Sequence, residues 1–158
     1  MILHNFRTAA GEKLTDSKLI EEIVKFIEAD KNFNYKILIG TDSEERENSS
    51  DFVMVIVVHR VGQGARYFWK RIELNVFKTL KDRLWQEALF SLELGQEILK
   101  RLLQFDIKFS FEIHLDIGEN GNSKSVIKEI INLIRSYGFN VKVKPESYAA
   151  SKIADRLI

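Results

Sequence analysis

The chain has 158 residues, 45% hydrophobic and 30% charged, a length and balance that suit one globular domain over residues 1–158. The lack of cysteine excludes disulfides, thiolate metal sites and a catalytic cysteine, and a net charge of +1 does not favour a nonspecific nucleic-acid clamp. No apolar run has the length of a membrane span, so we expect a soluble, cytoplasmic protein with no membrane partner.

The first 34 residues are expected to form an N-terminal extension with one helix, ahead of a core over residues 35–158. Residues 1–14 mix polar and apolar side chains and predict a loosely structured lead-in. Thr15, Asp16 or Ser17 can cap a helix, because an apolar stripe follows at helical spacing: Leu19, Ile20, Ile23, Val24 and Ile27.

The central strand is predicted from Lys36 to Ser43, where an Ile/Leu run ends at Asp42. A continuous apolar run is typical of a strand covered on both faces, and a carboxylate at its end is costly unless a cation compensates it. The tetrapeptide Gly40-Thr41-Asp42-Ser43 is equally typical of a turn, so Asp42 alone does not establish a site. The polar stretch that continues to Ser50 predicts a solvated loop.

Two more strands, a long helix and a fourth strand are predicted next. Phe52 to Arg60 and Arg66 to Leu74 flank turn glycines and give three consecutive antiparallel strands. Asp82 to Gln104 has helical periodicity, with Glu87 on a polar ridge near its start. Lys108 to Asp116 alternates between apolar and polar residues and ends in a second carboxylate.

The remaining sequence predicts a helix closed by Gly138, a short strand from Phe139 to Lys144, and a last helix that Ser147 caps and that carries Asp155. The order β-β-β-α-β-α-β-α predicts an α/β fold, a mixed five-stranded sheet flanked by helices with an extra N-terminal helix. Right-handed crossovers place the last two strands parallel to the first, and ligands bind at the carboxyl ends of such strands.

This order resembles the ribonuclease H-like superfamily from about Tyr35 to the C-terminus. Four phrases are similar to the YkuK-type family of bacterial ribonuclease H-like proteins, whose activity is largely unassigned: IGTDS, RLWQEALFSL, HLDIGENGNS and KPESYAASKIADR. The resemblance implies that four carboxylates form the catalytic and metal-binding set: Asp42, Glu87, Asp116 and Asp155.

In the superfamily these carboxylates hold two Mg²⁺ or Mn²⁺ ions, about 3.5 to 4 Å apart, which activate a water and stabilise the leaving oxygen of a phosphodiester. The resemblance implies a metal-dependent nuclease acting on RNA, an RNA/DNA hybrid or structured DNA, with nucleic acid as its partner. Asp42 is expected to bridge both ions. Ser43 and Lys144 are the candidate substrate contacts.

Structural alternatives exist for these residues. In the alternative, Glu87 pairs with Arg83 on a solvated helix face, Asp116 caps the following turn, and Asp155 is exposed near the C-terminus. His114 shares a strand face with Asp116, but a lone strand histidine is more often a hydrogen-bonded structural residue.

Other functions stay open. One is a ribonuclease H-like module that binds nucleic acid or a protein partner without turnover. Another is nucleotide binding, because Asp116-Ile117-Gly118 and the turn after it are similar to the phosphate loops of actin-like ATPases, which need two such domains. The aromatic and basic segment from Arg66 to Arg71 is a candidate surface for a nucleic-acid strand, although alternation assigns half of it to the core.

Overall fold

The computed structural model describes residues 2–117 and 124–144, which contain six strands and three helices. The strands are β1 (Arg7–Thr8), β2 (Tyr35–Glu45), β3 (Ser50–Arg60), β4 (Ala65–Leu74), β5 (Ser110–His114) and β6 (Asn140–Lys142). The helices are α1 (Asp16–Glu28), α2 (Leu80–Leu102) and α3 (Lys124–Ser136). The predicted turn from Gly118, which is similar to a phosphate loop, and the predicted last helix with Asp155 lie outside the described residues.

The strands form one mixed sheet in the order β1-β4-β3-β2-β5-β6. The neighbours β2, β3 and β4 pair antiparallel, whereas β5 pairs parallel with β2, and β6 pairs parallel with β5. The predicted α/β fold, with three antiparallel strands followed by two parallel ones, is therefore confirmed.

The prediction of five strands and a loose lead-in was wrong, because the N-terminal segment contributes a sixth strand. Arg7 pairs with Trp69 of β4, and both Leu3 and Phe6 are fully buried in the main core. The ammonium of Lys70 donates hydrogen bonds to two carbonyls of the same segment. A two-residue strand is too short to show alternation, so periodicity could not reveal it.

The predicted loop after Asp42 is shorter than expected, because β2 and β3 form a long hairpin. Pairing continues from Asp42 and Val53 to Glu45 and Ser50, and residues 46–49 make the turn. The polar residues of β2 are held in the strand by cross-strand pairing with β3, which outweighs their own low strand propensity.

The described helices pack against one face of the sheet. Their buried apolar residues share a core with alternate residues of the central strands, including Ile37 and Ile39 of β2 and Met54 and Ile56 of β3. The opposite face carries a smaller apolar cluster formed by Leu38, Val53, Val55 and Val57, with Tyr67 and Trp69 packed against it. Because side chains alternate along a strand, Thr41 and Ser43 point toward the helices and Asp42 lies on the opposite face.

Helices α1 and α2 begin at threonine caps. The side chain of Thr15 accepts a hydrogen bond from the Lys18 amide, and that of Thr79 accepts one from the Asp82 amide, each at 3.1 Å. α2 therefore begins two residues before its predicted start. None of α1 to α3, the helices within the described ranges, is long and apolar enough to cross a membrane.

Candidate active site

The sheet brings two of the predicted carboxylates side by side. Gly40 of β2 pairs with His114 of the parallel strand β5, and Asp42 and Asp116 each lie two residues beyond this pair. Leu115 and Ile117 are buried in the main core on the helix side, so alternation directs Asp116, like Asp42, to the face that carries the smaller apolar cluster. The backbone beyond β5 stays aligned with β6, because the Leu115 amide donates to the Lys142 carbonyl at 2.9 Å.

The third carboxylate, Glu87, is attached to β2 by a pair of hydroxyl contacts. The Ser43 hydroxyl donates a hydrogen bond to Glu87, and the hydroxyls of Thr41 and Ser91 are hydrogen-bonded at 2.8 Å. Two residues of a strand rise about 6.6 Å and four residues of a helix rise about 6 Å, so the alternate residues of β2 match one turn of α2. This match places Glu87 at the carboxyl end of the central strand.

Glu87 is a buried carboxyl whose pKa is strongly raised. Its residue is only 5% exposed. Burial raises its pKa from 4.5 to about 8, the hydrogen bond from Ser43 opposes the rise, and the negative charges of Asp42 and Asp116 add to it. Without a bound cation, Glu87 is therefore mostly protonated at neutral pH.

Arg83 does not make the ion pair with Glu87 that the structural alternative required. Its Nε lies 3.6 Å from Oε2 of Glu45, and its Nη1 donates to the Ser43 carbonyl at 3.3 Å. It still favours the ionised form of Glu87 through its charge. Arg83 thus supports the end of β2, and Glu87 does not lie on a solvated helix face.

Asp42 and Asp116 each have a close contact within the site. Oδ1 of Asp42 accepts a hydrogen bond from the Ser43 amide at 2.9 Å. Oδ1 of Asp116 lies 2.9 Å from Nζ of Lys144, whose side chain is 58% exposed. Lys144, predicted as a substrate contact, therefore lies against a candidate metal ligand.

The structural interpretation of His114 is confirmed. Its Nε2 lies 2.9 Å from Oε2 of Glu112, and Oε1 of Glu112 lies 3.4 Å from the Lys36 ammonium. His114 and Glu112 are both buried. The three side chains form a polar chain along β5 and β2.

The segment from Arg66 to Arg71 is used mainly for packing. Phe68 and Lys70 are buried, and the Trp69 indole donates to the Thr8 carbonyl at 3.1 Å. Arg66 forms an ion pair with Glu22 of α1, with 2.7 Å between Nη1 and Oε2. The aromatic side chains of the candidate nucleic-acid surface therefore contribute to the packing of the fold.

The donor chemistry of the site fits Mg²⁺ or Mn²⁺, which bind oxygen ligands. Glu87 is buried and is near enough to Asp42 and Asp116 for their negative charges to raise its pKa, and a divalent cation would compensate this accumulation of negative charge. Within residues 2–117 and 124–144, no group of three Asp, Glu, His or Cys side chains is arranged closely enough to hold a metal ion. Asp155, the fourth predicted ligand, lies outside these ranges.

Sequence reasoning missed two relationships in the site. It assigned Ser43 to the substrate, whereas its hydroxyl bonds Glu87 and its amide bonds Asp42. It also did not foresee the ion pair between Lys144 and Asp116. The two-residue spacing of Thr41 and Ser43 in the strand, which matches the four-residue spacing of Glu87 and Ser91 in the helix, was the sequence signal for the contact between Ser43 and Glu87. Only the tertiary fold shows that these two surfaces pack together.

Comparisons with known proteins found a family model, a relative and a solved structure that are similar to this chain. The family model described as ribonuclease H-like matches residues 18–158. The chain is 30% identical over 163 residues to the "Uncharacterized protein YkuK" of Bacillus subtilis (strain 168), covering 96% of this chain and 95% of that protein. A solved structure, RNase H1 from the halophilic archaeon Halobacterium salinarum NRC-1, is similar with a TM-score of 0.40 and 13% identity, covering 78% of this chain and 99% of that one. Because the family model matches most of its length, the chain belongs to the ribonuclease H-like family.

Proposed function

We propose that the chain is a metal-dependent nuclease that hydrolyses phosphodiester bonds of RNA, an RNA/DNA hybrid or structured DNA. The observation that carries the proposal is the buried carboxyl of Glu87 at the junction of α2 and β2, whose pKa is raised first by burial and further by the charges of Asp42 and Asp116. Carboxyls with perturbed pKa values cluster at functional sites. Membership of the ribonuclease H-like family supports the same assignment.

Four carboxylates would hold the metal: Asp42, Glu87, Asp116 and Asp155. Two Mg²⁺ or Mn²⁺ ions bound there would activate a water and stabilise the leaving oxygen. Asp42, which lies between β3 and β5 in the sheet, is the proposed bridging ligand. Glu87 and Asp116 would serve one ion and Asp155 the other.

Ser43 has a positioning role in this proposal. Its hydroxyl holds a Glu87 oxygen and its amide holds Oδ1 of Asp42, so one residue orients carboxylates from two elements. The Glu87 carboxyl must lose its proton to become a ligand, and the Ser43 hydrogen bond favours that ionised form. Metal binding near neutral pH is therefore coupled to proton release.

A cleavage assay tests the proposed activity. The purified protein is incubated with Mg²⁺ or Mn²⁺ and with labelled RNA, hybrid or branched DNA, and is compared with Asp42→Asn and Asp106→Asn. Asp106 is an exposed aspartate before β5, at the opposite end of the sheet, so its variant is the matched control. We expect cleavage by the wild type and Asp106→Asn and none by Asp42→Asn. Cleavage that survives in Asp42→Asn, or its absence from the wild type with every substrate, would contradict the proposal.

The second candidate function is a ribonuclease H-like module that binds nucleic acid or a protein partner without turnover. The ion pair between Lys144 and Asp116 favours it, because an ammonium there compensates a carboxylate that the nuclease would use for metal. Nucleic-acid binding without cleavage, unchanged in Asp42→Asn, would support this second function over the first.

A further inference from the structure

A row of paired residues crosses three strands and extends from Asp42 in the candidate active site to β4. Asp42 of β2 pairs with Val53 of β3, and Val53 pairs with Arg71 of β4. The row therefore reads Asp42, Val53, Arg71, and Asp116 follows the end of β5, the strand on the other side of β2. Paired residues point to the same face and neighbouring strands lie about 4.8 Å apart, so the Arg71 backbone is about 10 Å from that of Asp42.

A buried carboxylate orients the Arg71 side chain. Nη1 of Arg71 lies 3.5 Å from Oδ2 of Asp51, and Nε of Arg46 donates to the same oxygen at 2.6 Å. The Asp51 side chain is only 5% exposed, whereas the side chains of Arg71 and Arg46 are 40% and 46% exposed. Two guanidinium groups, one from the β2–β3 turn and one from β4, thus converge on one buried anion while part of each faces solvent.

The contacts of Asp51 set it apart from a simple surface ion pair. Its second oxygen, Oδ1, is buried and has no hydrogen-bond partner among the described residues. Removing a carboxylate from water costs free energy that a single exposed ion pair does not return. The further pair of Arg46 with Glu44, 3.4 Å between Nη2 and Oε2, is exposed on both sides and therefore weak.

Guanidinium groups suit the ligand that a nuclease must hold. Arginine presents a rigid, planar set of donors that matches phosphate oxygens, and pre-orientation lowers the entropy lost on binding. Contacts to phosphate position a nucleic acid without reading its sequence. A nucleic-acid strand that lies along the row from Asp42 to Arg71 would contact the candidate active site at one end and an oriented arginine at the other.

We propose that Arg71, with Arg46 beside it, forms a subsite for a backbone phosphate of the nucleic-acid strand that enters the candidate active site. Successive nucleotides of one strand rise about 3.4 Å, so a separation of about 10 Å places this phosphate within about three nucleotides of the reacting bond. The inference rests on the proposed function, because it assigns a substrate contact to the same site. It requires neither metal nor turnover, so binding alone tests it.

The test measures binding of a short, labelled, single-stranded RNA by fluorescence anisotropy in EDTA, between about 50 and 200 mM salt. Wild type is compared with Arg71→Gln, Arg71→Lys and the control Arg66→Gln. Arg66 is on the same strand, has a similar exposure of 41% and also pairs with a carboxylate, but it belongs to the helix-covered face.

We expect Arg71→Gln to weaken binding about tenfold at low salt and to reduce the slope of log affinity against log salt by about 0.7, the value for one phosphate contact on a single strand. Arg71→Lys keeps the charge and should keep the slope of the wild type. Such a result would show that the weaker binding of Arg71→Gln comes from the lost charge and not from a folding defect. Arg66→Gln should bind like the wild type.

Equal binding by Arg71→Gln and the wild type would overturn the inference, as would equal losses in Arg71→Gln and Arg66→Gln or no RNA binding by the wild type. The nuclease proposal is decided separately by cleavage. Binding that depends on Arg71 in a protein that cleaves nothing would support the subsite and contradict the nuclease.

Discussion

The Ser43 hydroxyl donates a hydrogen bond to the Glu87 carboxyl, and this contact joins the polar end of β2 to the buried side of α2. Because the Ser43 amide also bonds Asp42, the positions of two candidate ligands depend on one strand residue. The long hairpin of β2 and β3 fixes that residue in turn, since Ser43 pairs with Phe52. The candidate site is therefore organised by the central strand.

Glu87→Gln should stabilise the metal-free protein at alkaline pH. The folded carboxyl has a pKa of about 8 against an ordinary value of 4.5, so between these values the folded state holds the extra proton. The free energy of unfolding of the wild type therefore falls as pH rises through this window, by up to about 1.4 kcal/mol per pH unit. Glutamine removes that slope. Urea unfolding in EDTA at pH 6, 7 and 8 measures it.

The control for this prediction is Glu93→Gln, which changes an exposed glutamate on the same helix. It should keep the pH dependence of the wild type. If Glu87→Gln and the wild type lose stability in parallel between pH 6 and 8, Glu87 does not hold a proton in the folded state.

Ser43→Ala should weaken metal binding at neutral pH, whereas Ser43→Thr should largely preserve it. The alanine variant loses the hydrogen bond that favours ionised Glu87, so the carboxyl holds its proton more tightly. Threonine keeps the hydroxyl and suits a strand. Calorimetric titration with Mn²⁺ at pH 7 compares the two. An alanine variant that binds the metal as tightly as the wild type would remove Ser43 from the positioning role.

Lys144→Gln should strengthen metal binding and weaken substrate binding. The ammonium of Lys144 lies 2.9 Å from Oδ1 of Asp116 and competes with a cation for that oxygen. The same ammonium is the candidate phosphate contact, so its loss should raise KM for a nucleic acid. Mn²⁺ titration and steady-state kinetics report the two effects separately. Unchanged metal affinity would show that the ion pair does not compete.

Thr41→Val should destabilise the fold because it leaves the buried hydroxyl of Ser91 without its partner. Thr41 is 4% exposed and Ser91 is fully buried, and a hydroxyl stranded in such a place costs about 1–3 kcal/mol. The double variant Thr41→Val with Ser91→Ala removes both polar groups and should recover part of the loss. Chemical unfolding of the wild type, the two single variants and the double variant measures the coupling free energy between the two hydroxyls. Additive losses would show that the two hydroxyls do not depend on each other.

The sequence predicted the elements whose residues repeat regularly. The apolar run of β2 and the helical stripe of α1 bury the residues that their periods indicate, whereas in β5 the polar residues Glu112 and His114 are buried as well as Ile113. Gly138, expected to close a helix, has a φ of 88°, a left-handed conformation that favours glycine. These local signals, with right-handed crossovers, were sufficient for the order and direction of the five main strands.

The sequence could not predict features that arise only from tertiary contacts. The β1 strand is two residues long, and Ser43 to Glu45 stay in β2 because β3 pairs with them. The raised pKa of Glu87 depends on burial by elements distant in sequence. The row from Asp42 to Arg71 depends on the register of two hairpins, which side-chain type alone does not determine.

Calorimetric titration of the wild type and Asp42→Asn with Mn²⁺ and Mg²⁺ at pH 7, repeated in two buffers of different ionisation enthalpy, tests the carboxylate site most directly. The site predicts binding to the wild type, release of a proton because Glu87 ionises as the metal binds, and loss of binding in Asp42→Asn. Absence of binding to the wild type, or equal binding to both proteins, would contradict the metal site and with it the proposed nuclease.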